Sequence, residues 1–283
     1  MNGSGSAAGF GLISAATWGG SDFLGGLGAR RAPALLVVAS GHLVSLLLLL
    51  AVCMGAHLAI PGRHDLLFAA LGGFEGALSL ALFYHALAMG AMGLTAALTG
   101  LLTALVPVLF SLVHDGLPTP LTAAGLAVGL GAIWLITHAP AAGRVRPATP
   151  PAALLLGAMA GLGFGTQLIL FKVASGGSLL WIMTAARAAG VTAMLLLLVV
   201  MPPKAPWRGF WLYGVLAGLL DTLGNLLYIQ TTRLGRLDVA AVVCSLYPAS
   251  TILLAAVVLR EWPSRRQIAG IALALAAVAL LSV

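Results

Sequence analysis

Ten long apolar runs, separated by short polar breaks, dominate this sequence. A helix needs about 20 apolar residues to cross the bilayer core, and a membrane barrel needs short alternating segments instead. Backbone groups in lipid are satisfied internally by helices. The sequence therefore predicts an all-α polytopic membrane protein with ten transmembrane helices. The runs are Ala7–Ala29, Ala34–Met54, Leu66–Ala88, Gly93–His114, Leu121–Thr137, Ala152–Ala174, Leu179–Met201, Phe210–Thr232, Val239–Leu259 and Ile268–Val283.

Composition agrees with a chain that faces lipid. Hydrophobic residues make up 61% of the 283 residues and charged residues 7%, whereas a soluble domain carries about 25% charged residues. The formal net charge is +7, and the basic residues are scattered in short loops without interleaved aromatic residues. This pattern favours contact with lipid headgroups and control of topology over nucleic-acid binding.

Motifs for catalysis, cofactors or metals do not occur in the sequence. The cysteines, Cys53 and Cys244, lie in different apolar runs, and the six histidines form no metal-binding pattern. No GxSxG, P-loop or CxxC motif is present. We therefore predict no enzyme activity, no cofactor and no metal. No basic residue precedes the first apolar run, which predicts that this run is retained as a membrane span.

The two halves of the chain resemble each other. The longest polar break, "APAAGRVRPATPP" (Ala139–Pro151), divides it into residues 1–138 and 152–283. "LFYHALAMG" in the first half resembles "LLYIQTTRLG" in the second, and "LVP" recurs as "LYP". Because five is an odd number, two copies of a five-helix unit must enter the membrane from opposite sides. The sequence thus predicts inverted repeats, an arrangement typical of secondary transporters.

Three segments carry a resemblance to a known family: "TWGGSDFLGGLGARR", "ALFYHALAMGAMGLTAALTGLLTALVPVLFSL" and "LYPASTILLAAVVLREWPSRRQIAG". Together they resemble the drug/metabolite transporter superfamily, in particular its ten-helix EamA-type members. The resemblance implies a proton- or gradient-linked carrier of small metabolites, often an exporter, in the inner membrane. It also implies a central cavity lined by the first, third, fourth, sixth, eighth and ninth helices. The expected partners are a small-molecule substrate, protons and the lipid bilayer; the oligomeric state is left open, and a monomer is compatible with the sequence.

Orientation receives two conflicting predictions. Loops after odd-numbered helices hold nine Lys or Arg residues and loops after even-numbered helices hold four. The positive-inside rule would then place both termini outside, whereas the family resemblance implies both inside. The chain also departs from the family in having Asp115 where a glutamate is common before the fifth helix.

Ionisable residues within membrane helices are candidates for function by default. The acids within the predicted spans are Asp22, Glu75 and Asp221. Asp221 shares one helix face with Asn225 and Tyr228 through i, i+4 and i+7 spacing. Glu75 is interpreted as the repeat counterpart of Asp221. Each of these two acids has three possible roles: binding substrate, binding a proton, or pairing with a buried base.

Two bases are available for such an ion pair. Lys172 and Arg187 lie within the predicted spans, and we place both near helix ends or within snorkelling range.

The remaining candidates for binding substrate or a proton are aromatic or polar residues in the same helices. The aromatic side chains would shape an amphipathic pocket, and Gln167 matches the Trp18–Asp22 region in the repeat. These candidates are Trp18, Tyr84, His85, Gln167, Tyr228 and Tyr247.

Two other groups of residues have predicted mechanical roles. Pro107 and Pro248 occupy matching places in the halves, and proline frees a carbonyl one turn earlier. We predict that they act as hinges or kinks beside the pocket. Gly157, Gly161 and Gly165 recur every four residues and predict a helix-packing face.

A secondary transporter working by alternating access is the function that these patterns favour. A flippase for lipids or lipid-linked sugars is the alternative, because it would use the same kind of bundle. A non-transporting membrane receptor or assembly subunit is the alternative from another class.

Overall fold

The computed structural model describes residues 2–89, 92–137, 150–174, 176–203, 209–258 and 264–281. These residues form eleven α-helices, and the described part of the chain contains no strand. The helices are α1 (Asn2–Ala29), α2 (Ala34–Gly55), α3 (Arg63–Ala88), α4 (Met92–His114), α5 (Pro120–Thr137), α6 (Pro151–Val173), α7 (Leu179–Val200), α8 (Trp211–Leu234), α9 (Leu237–Cys244), α10 (Tyr247–Val258) and α11 (Arg265–Leu281).

The predicted ninth run is wrong as a single helix. It contains two helices, α9 and α10, with a turn at Ser245 and Leu246. Pro248 explains the break, because proline has no backbone N–H to donate to the carbonyl four residues earlier and its ring crowds that turn. The other nine predicted runs each correspond to one helix. Most of the predicted linker, residues 139–151, lies outside the described residues.

Six segments of the described chain are long and apolar enough to cross a membrane, and two shorter apolar helices accompany them. The protein is therefore a multi-pass membrane protein. The six segments are Ala34–Gly55, Arg63–Ala88, Pro151–Val173, Leu179–Val200, Trp211–Leu234 and Leu237–Val258, and the shorter helices are Leu98–His114 and Pro120–Leu135.

Contacts between residues at the helix ends show that the helices alternate in direction. At one end, the Trp181 indole donates to the Leu58 carbonyl between α2 and α3. At the same end, Arg233 donates to the Gly177 carbonyl between α6 and α7. At the other end, Arg31 after α1 stacks over the Tyr213 ring in the first turn of α8, 4.8 Å from its centroid. The end of α1 and the start of α8 thus lie at the opposite end of the bundle from the α2–α3 and α6–α7 connections.

Small residues let several helices approach closely. Gly161 packs against α4, where an added Cβ would lie 2.7 Å from the Thr99 carbonyl oxygen. The Thr99 hydroxyl donates to the Gly157 carbonyl at 2.8 Å, and Gly165 faces Val106. The predicted glycine packing face of α6 is therefore confirmed.

The two halves interlock rather than packing side by side. Helix α1 packs along α8, and α3 packs along α6 and α7. Helix α2 lies against α7 and α8, while α5 pairs with α11. The interface between the halves therefore runs through the centre of the bundle, where the candidate site lies.

Candidate functional site

A cavity lies between α1, α3, α4, α6, α8 and α10, so both halves of the chain contribute walls. These correspond to the six helices that the family resemblance implied, because α10 carries the second part of the predicted ninth run. The cavity measures about 40 Å³, and one water needs about 10–15 Å³ on the same scale. It is lined by Trp18, Asp22, Leu80, Thr103, Phe164, Gln167, Leu168, Asp221, Asn225 and Tyr247.

Asp221 forms an ion pair beside this cavity. The Arg187 guanidinium donates through Nη2 to the Asp221 carboxylate at 2.5 Å. The Arg187 side chain is 4% exposed and that of Asp221 is 16% exposed. Asn225, one turn along α8, donates from its side chain to the Asp221 backbone carbonyl. The Asp221 carboxylate in the cavity wall is therefore neutralised by the Arg187 guanidinium on α7.

Arg187 also contacts a histidine from the first half. It donates through Nη1 to His42 Nε2 at 2.9 Å, and His42 is 2% exposed. His42 Nδ1 and Arg187 Nε have no hydrogen-bond partner among the described residues. The placement of Arg187 near a helix end was wrong, because Arg187 lies in the middle of α7. Its guanidinium is buried and hydrogen-bonds His42 and Asp221.

Sequence reasoning missed His42, although the sequence held a signal. His42 is the ninth residue of α2 and Arg187 is the ninth residue of α7, the second helix of each half. A polar residue at the same place in both copies indicates a shared interface. Lys172, in contrast, lies near the end of α6 as predicted and donates to the Thr232 carbonyl.

Asp22 lines the same cavity from α1 and is partly buried. Among the described residues, its carboxylate has no hydrogen bond or ion pair. The side chains of Trp18, one turn earlier, and Gln167 from α6 complete this part of the wall. Trp18, Asp22 and Gln167, which the sequence named as candidates, thus lie in the wall of one cavity.

Glu75 does not line the cavity. Its carboxylate lies over α6, where a Cβ added to Gly163 would be 2.7 Å from Glu75 Oε1. The interpretation of Glu75 as the repeat counterpart of Asp221 was wrong, because the two acids lie on different helix faces relative to the tyrosine that follows each of them. Glu75 and Tyr84 are nine residues apart and lie on opposite helix faces, whereas Asp221 and Tyr228, seven apart, share one face.

The aromatic candidates divide into cavity walls and structural contacts. Trp18 packs between Tyr228 and Tyr247, with ring centroids 5.9 Å and 6.4 Å away. The buried Tyr228 hydroxyl donates to the Leu168 carbonyl at 2.9 Å. Tyr84, also buried, hydrogen-bonds Ser21. Of the four aromatic candidates, Trp18 and Tyr247 line the cavity.

Tyr247 has a feature that distinguishes it from the other tyrosines. It is 5% exposed, and its hydroxyl has no partner with hydrogen-bond geometry among the described residues. The Thr103 side chain is close by in the same wall, and its hydroxyl donates to the Thr99 carbonyl at 2.8 Å. The Tyr247 hydroxyl therefore makes no hydrogen bond of normal geometry with the described residues.

His85 and the two prolines lie away from the cavity lining. His85 is exposed and lines a separate surface pocket with Arg30 and Arg31 at the end of α3. Pro107 is buried within α4, which continues through it as one helix. Pro248 follows the break between α9 and α10. The two prolines are therefore not equivalent in their effect on the backbone.

The fold and cavity define a polytopic helical membrane protein with a central cavity that contains polar side chains. The model of the EamA-like transporter family matches residues 151–283, and this part of the chain belongs to that family. The resemblance noted in the sequence is thereby confirmed. A structure described as "Crystal structure of protein" matches with a TM-score of 0.74 and 20% identity, covering 97% of this chain and 96% of that one. At that identity the likeness concerns the fold. No curated protein matches the chain.

Proposed function

We propose that the protein is a secondary transporter that carries a small solute through the central cavity by alternating access. In this proposal ten membrane helices form two inverted five-helix repeats. The observation that carries the proposal is the cavity itself, since polar side chains from both halves converge between membrane helices. Export, proton coupling and an inner-membrane location stay predictions from the family resemblance.

Helix packing supports the two repeats. In the repeats α1, α2, α3 and α5 correspond to α6, α7, α8 and α11. When the two halves are exchanged, the contact of α1 with α8 becomes the contact of α6 with α3, and both contacts are extensive. The contact of α2 with α8 becomes that of α7 with α3. The pairs α2–α7 and α5–α11 map onto themselves. A two-fold relation between the halves accounts for all of these pairings.

The size of the cavity supports alternating access. At about 40 Å³ it accommodates a few waters, whereas pockets for drug-sized ligands measure about 300–1,000 Å³. A metabolite therefore enters only when the helices separate. The break before Pro248 supplies a place for such movement, because α9 and α10 are joined by a turn and Tyr247 lies at that break in the cavity wall.

Flux through proteoliposomes tests this function. Vesicles loaded with a mixture of amino acids, organic amines and carboxylic acids are expected to release at least one solute faster than protein-free vesicles. Replacing Gln167 by leucine removes one polar group from the cavity at nearly constant volume, and a lost hydrogen bond of about 0.5–1.5 kcal/mol should slow that flux up to about tenfold.

Thr166→Val is the matched control for this experiment. Thr166 is the neighbour of Gln167 on the exposed face of α6, where its hydroxyl returns a hydrogen bond to the Leu162 carbonyl. This variant should transport like the unaltered protein. Equal rates for protein-containing and protein-free vesicles with every solute would contradict the proposed function.

A further inference from the structure

One of the two acids at the cavity is paired with a base and the other is not. The charged residues among its described lining are Asp22 and Asp221, both acids. Asp221 is paired with the buried guanidinium of Arg187 at 2.5 Å, so these two groups together are neutral. Asp22 has no basic partner among the described residues. One carboxyl group therefore lies in the cavity wall without a basic partner among the described residues.

The walls around Asp22 suit an organic cation. Trp18 lies one helical turn from Asp22, and the Tyr247 and Phe164 rings complete an aromatic surface. Aromatic faces attract cations within about 6 Å of the ring centroid. Tyr247 is 5% exposed and lines the same space, and its hydroxyl has no hydrogen bond of normal geometry among the described residues. It can accept a hydrogen bond from an ammonium group or donate to a ligand oxygen.

We propose that Asp22 is the binding site for the ammonium group of a cationic substrate, with Trp18 and Tyr247 forming the aromatic part of that site. This inference rests on the proposed transport function and assigns its substrate class. A carboxylate ligand is disfavoured here, because it would approach two acids while the guanidinium of Arg187 stays bound to Asp221.

Asp221 has a different role in this proposal. Its Oδ2 accepts from Arg187 and its backbone carbonyl accepts from Asn225. Binding a ligand cation through Asp221 would leave Arg187, at 3% exposure, without its counter-ion. The cost of an unpaired buried charge makes this exchange unfavourable. Asp22 has no such ion pair among the described residues.

Ligand binding to the purified full-length protein tests the assignment. The probes are phenethylammonium and 3-phenylpropionate, which share a phenyl group and differ in the sign of the charged end. Calorimetric titration should show binding of phenethylammonium and at least about tenfold weaker binding of 3-phenylpropionate. Asp22→Asn should weaken phenethylammonium at least about tenfold, the loss expected for a hydrogen bond between charged groups.

Asp115→Asn is the matched control, because Asp115 lies after α4 and hydrogen-bonds Ser111 outside the cavity. Its affinity for phenethylammonium should be unchanged. Tighter binding of 3-phenylpropionate than of phenethylammonium to the unaltered protein overturns the proposal, and this comparison needs no variant to fold. Unchanged cation affinity in a folded Asp22→Asn protein also overturns it.

The two proposals fail separately in these experiments. Release of an anionic or neutral solute from proteoliposomes, combined with no binding of phenethylammonium, retains the transport function and rejects Asp22 as an ammonium site. Binding of phenethylammonium with no flux of any solute retains the site and rejects transport.

Discussion

Arg187→Gln is expected to destabilise the folded protein by about 3–5 kcal/mol, the range for removing one partner of a buried ion pair. The side chains of Arg187 and Asp221 are 4% and 16% exposed, so water replaces little of the lost interaction. His42 also loses the donor to its Nε2. The effect is measured as a lower apparent melting temperature of the detergent-purified protein. Size-exclusion chromatography of samples heated to a series of temperatures gives this value.

The double variant Arg187→Gln/Asp221→Asn separates the charge from the packing. Removing both charges leaves no unpaired ion, so the double variant should be more stable than Arg187→Gln alone. If the two single losses instead add to give the double loss, Arg187 and Asp221 do not stabilise each other and the ion pair is not the reason for their positions.

Gly218→Ala is expected to cost about 3 kcal/mol, at the upper end of the range for overpacking. Helices α2 and α8 cross with their backbones in contact. A Cβ on Gly218 would lie 2.6 Å from the Gly41 carbonyl oxygen, and a Cβ on Gly41 would lie 2.8 Å from Gly218 Cα. Because the obstacle is backbone, the helices themselves must separate. The same heating assay measures the loss.

Gly9→Ala is the matched control for this substitution. Gly9 lies within α1, and a Cβ added there meets nothing within 4 Å. Alanine has the higher helix propensity, so this variant should be as stable as the unaltered protein or more so. A Gly218→Ala protein with the stability of Gly9→Ala would mean that α2 and α8 do not cross in contact.

The sequence predicted the helices well because lipid imposes one requirement on every span. About 20 apolar residues and internal hydrogen bonds define each span, and six segments of the described chain are long and apolar enough to cross a membrane. The break between α9 and α10 was not predicted. Pro248 and Pro107 look alike in sequence, yet α4 continues through Pro107. Tertiary packing decides whether a helix continues through a proline.

The candidate site was predicted in part, and helix phase explains the difference. Asp221 and Asn225, four residues apart on one face, both line the cavity. Glu75 was grouped with Asp221 from its order in the chain, but a shift of two residues turned it to another face. The sequence named Arg187 and Lys172 as possible ion-pair partners for the acids but could not choose between them, because contacts between α7 and α8 depend on how the helices pack.

Accessibility of a cavity residue from both sides of the membrane tests the central claim most directly. In a protein carrying Cys53→Ala and Cys244→Ala, both native positions being buried, Thr103→Cys places a single thiol in the cavity wall. A membrane-impermeant maleimide is applied to sealed vesicles of either orientation. Alternating access predicts labelling of Thr103→Cys from each side. Labelling from one side alone, or from neither, would contradict the proposed transport cycle.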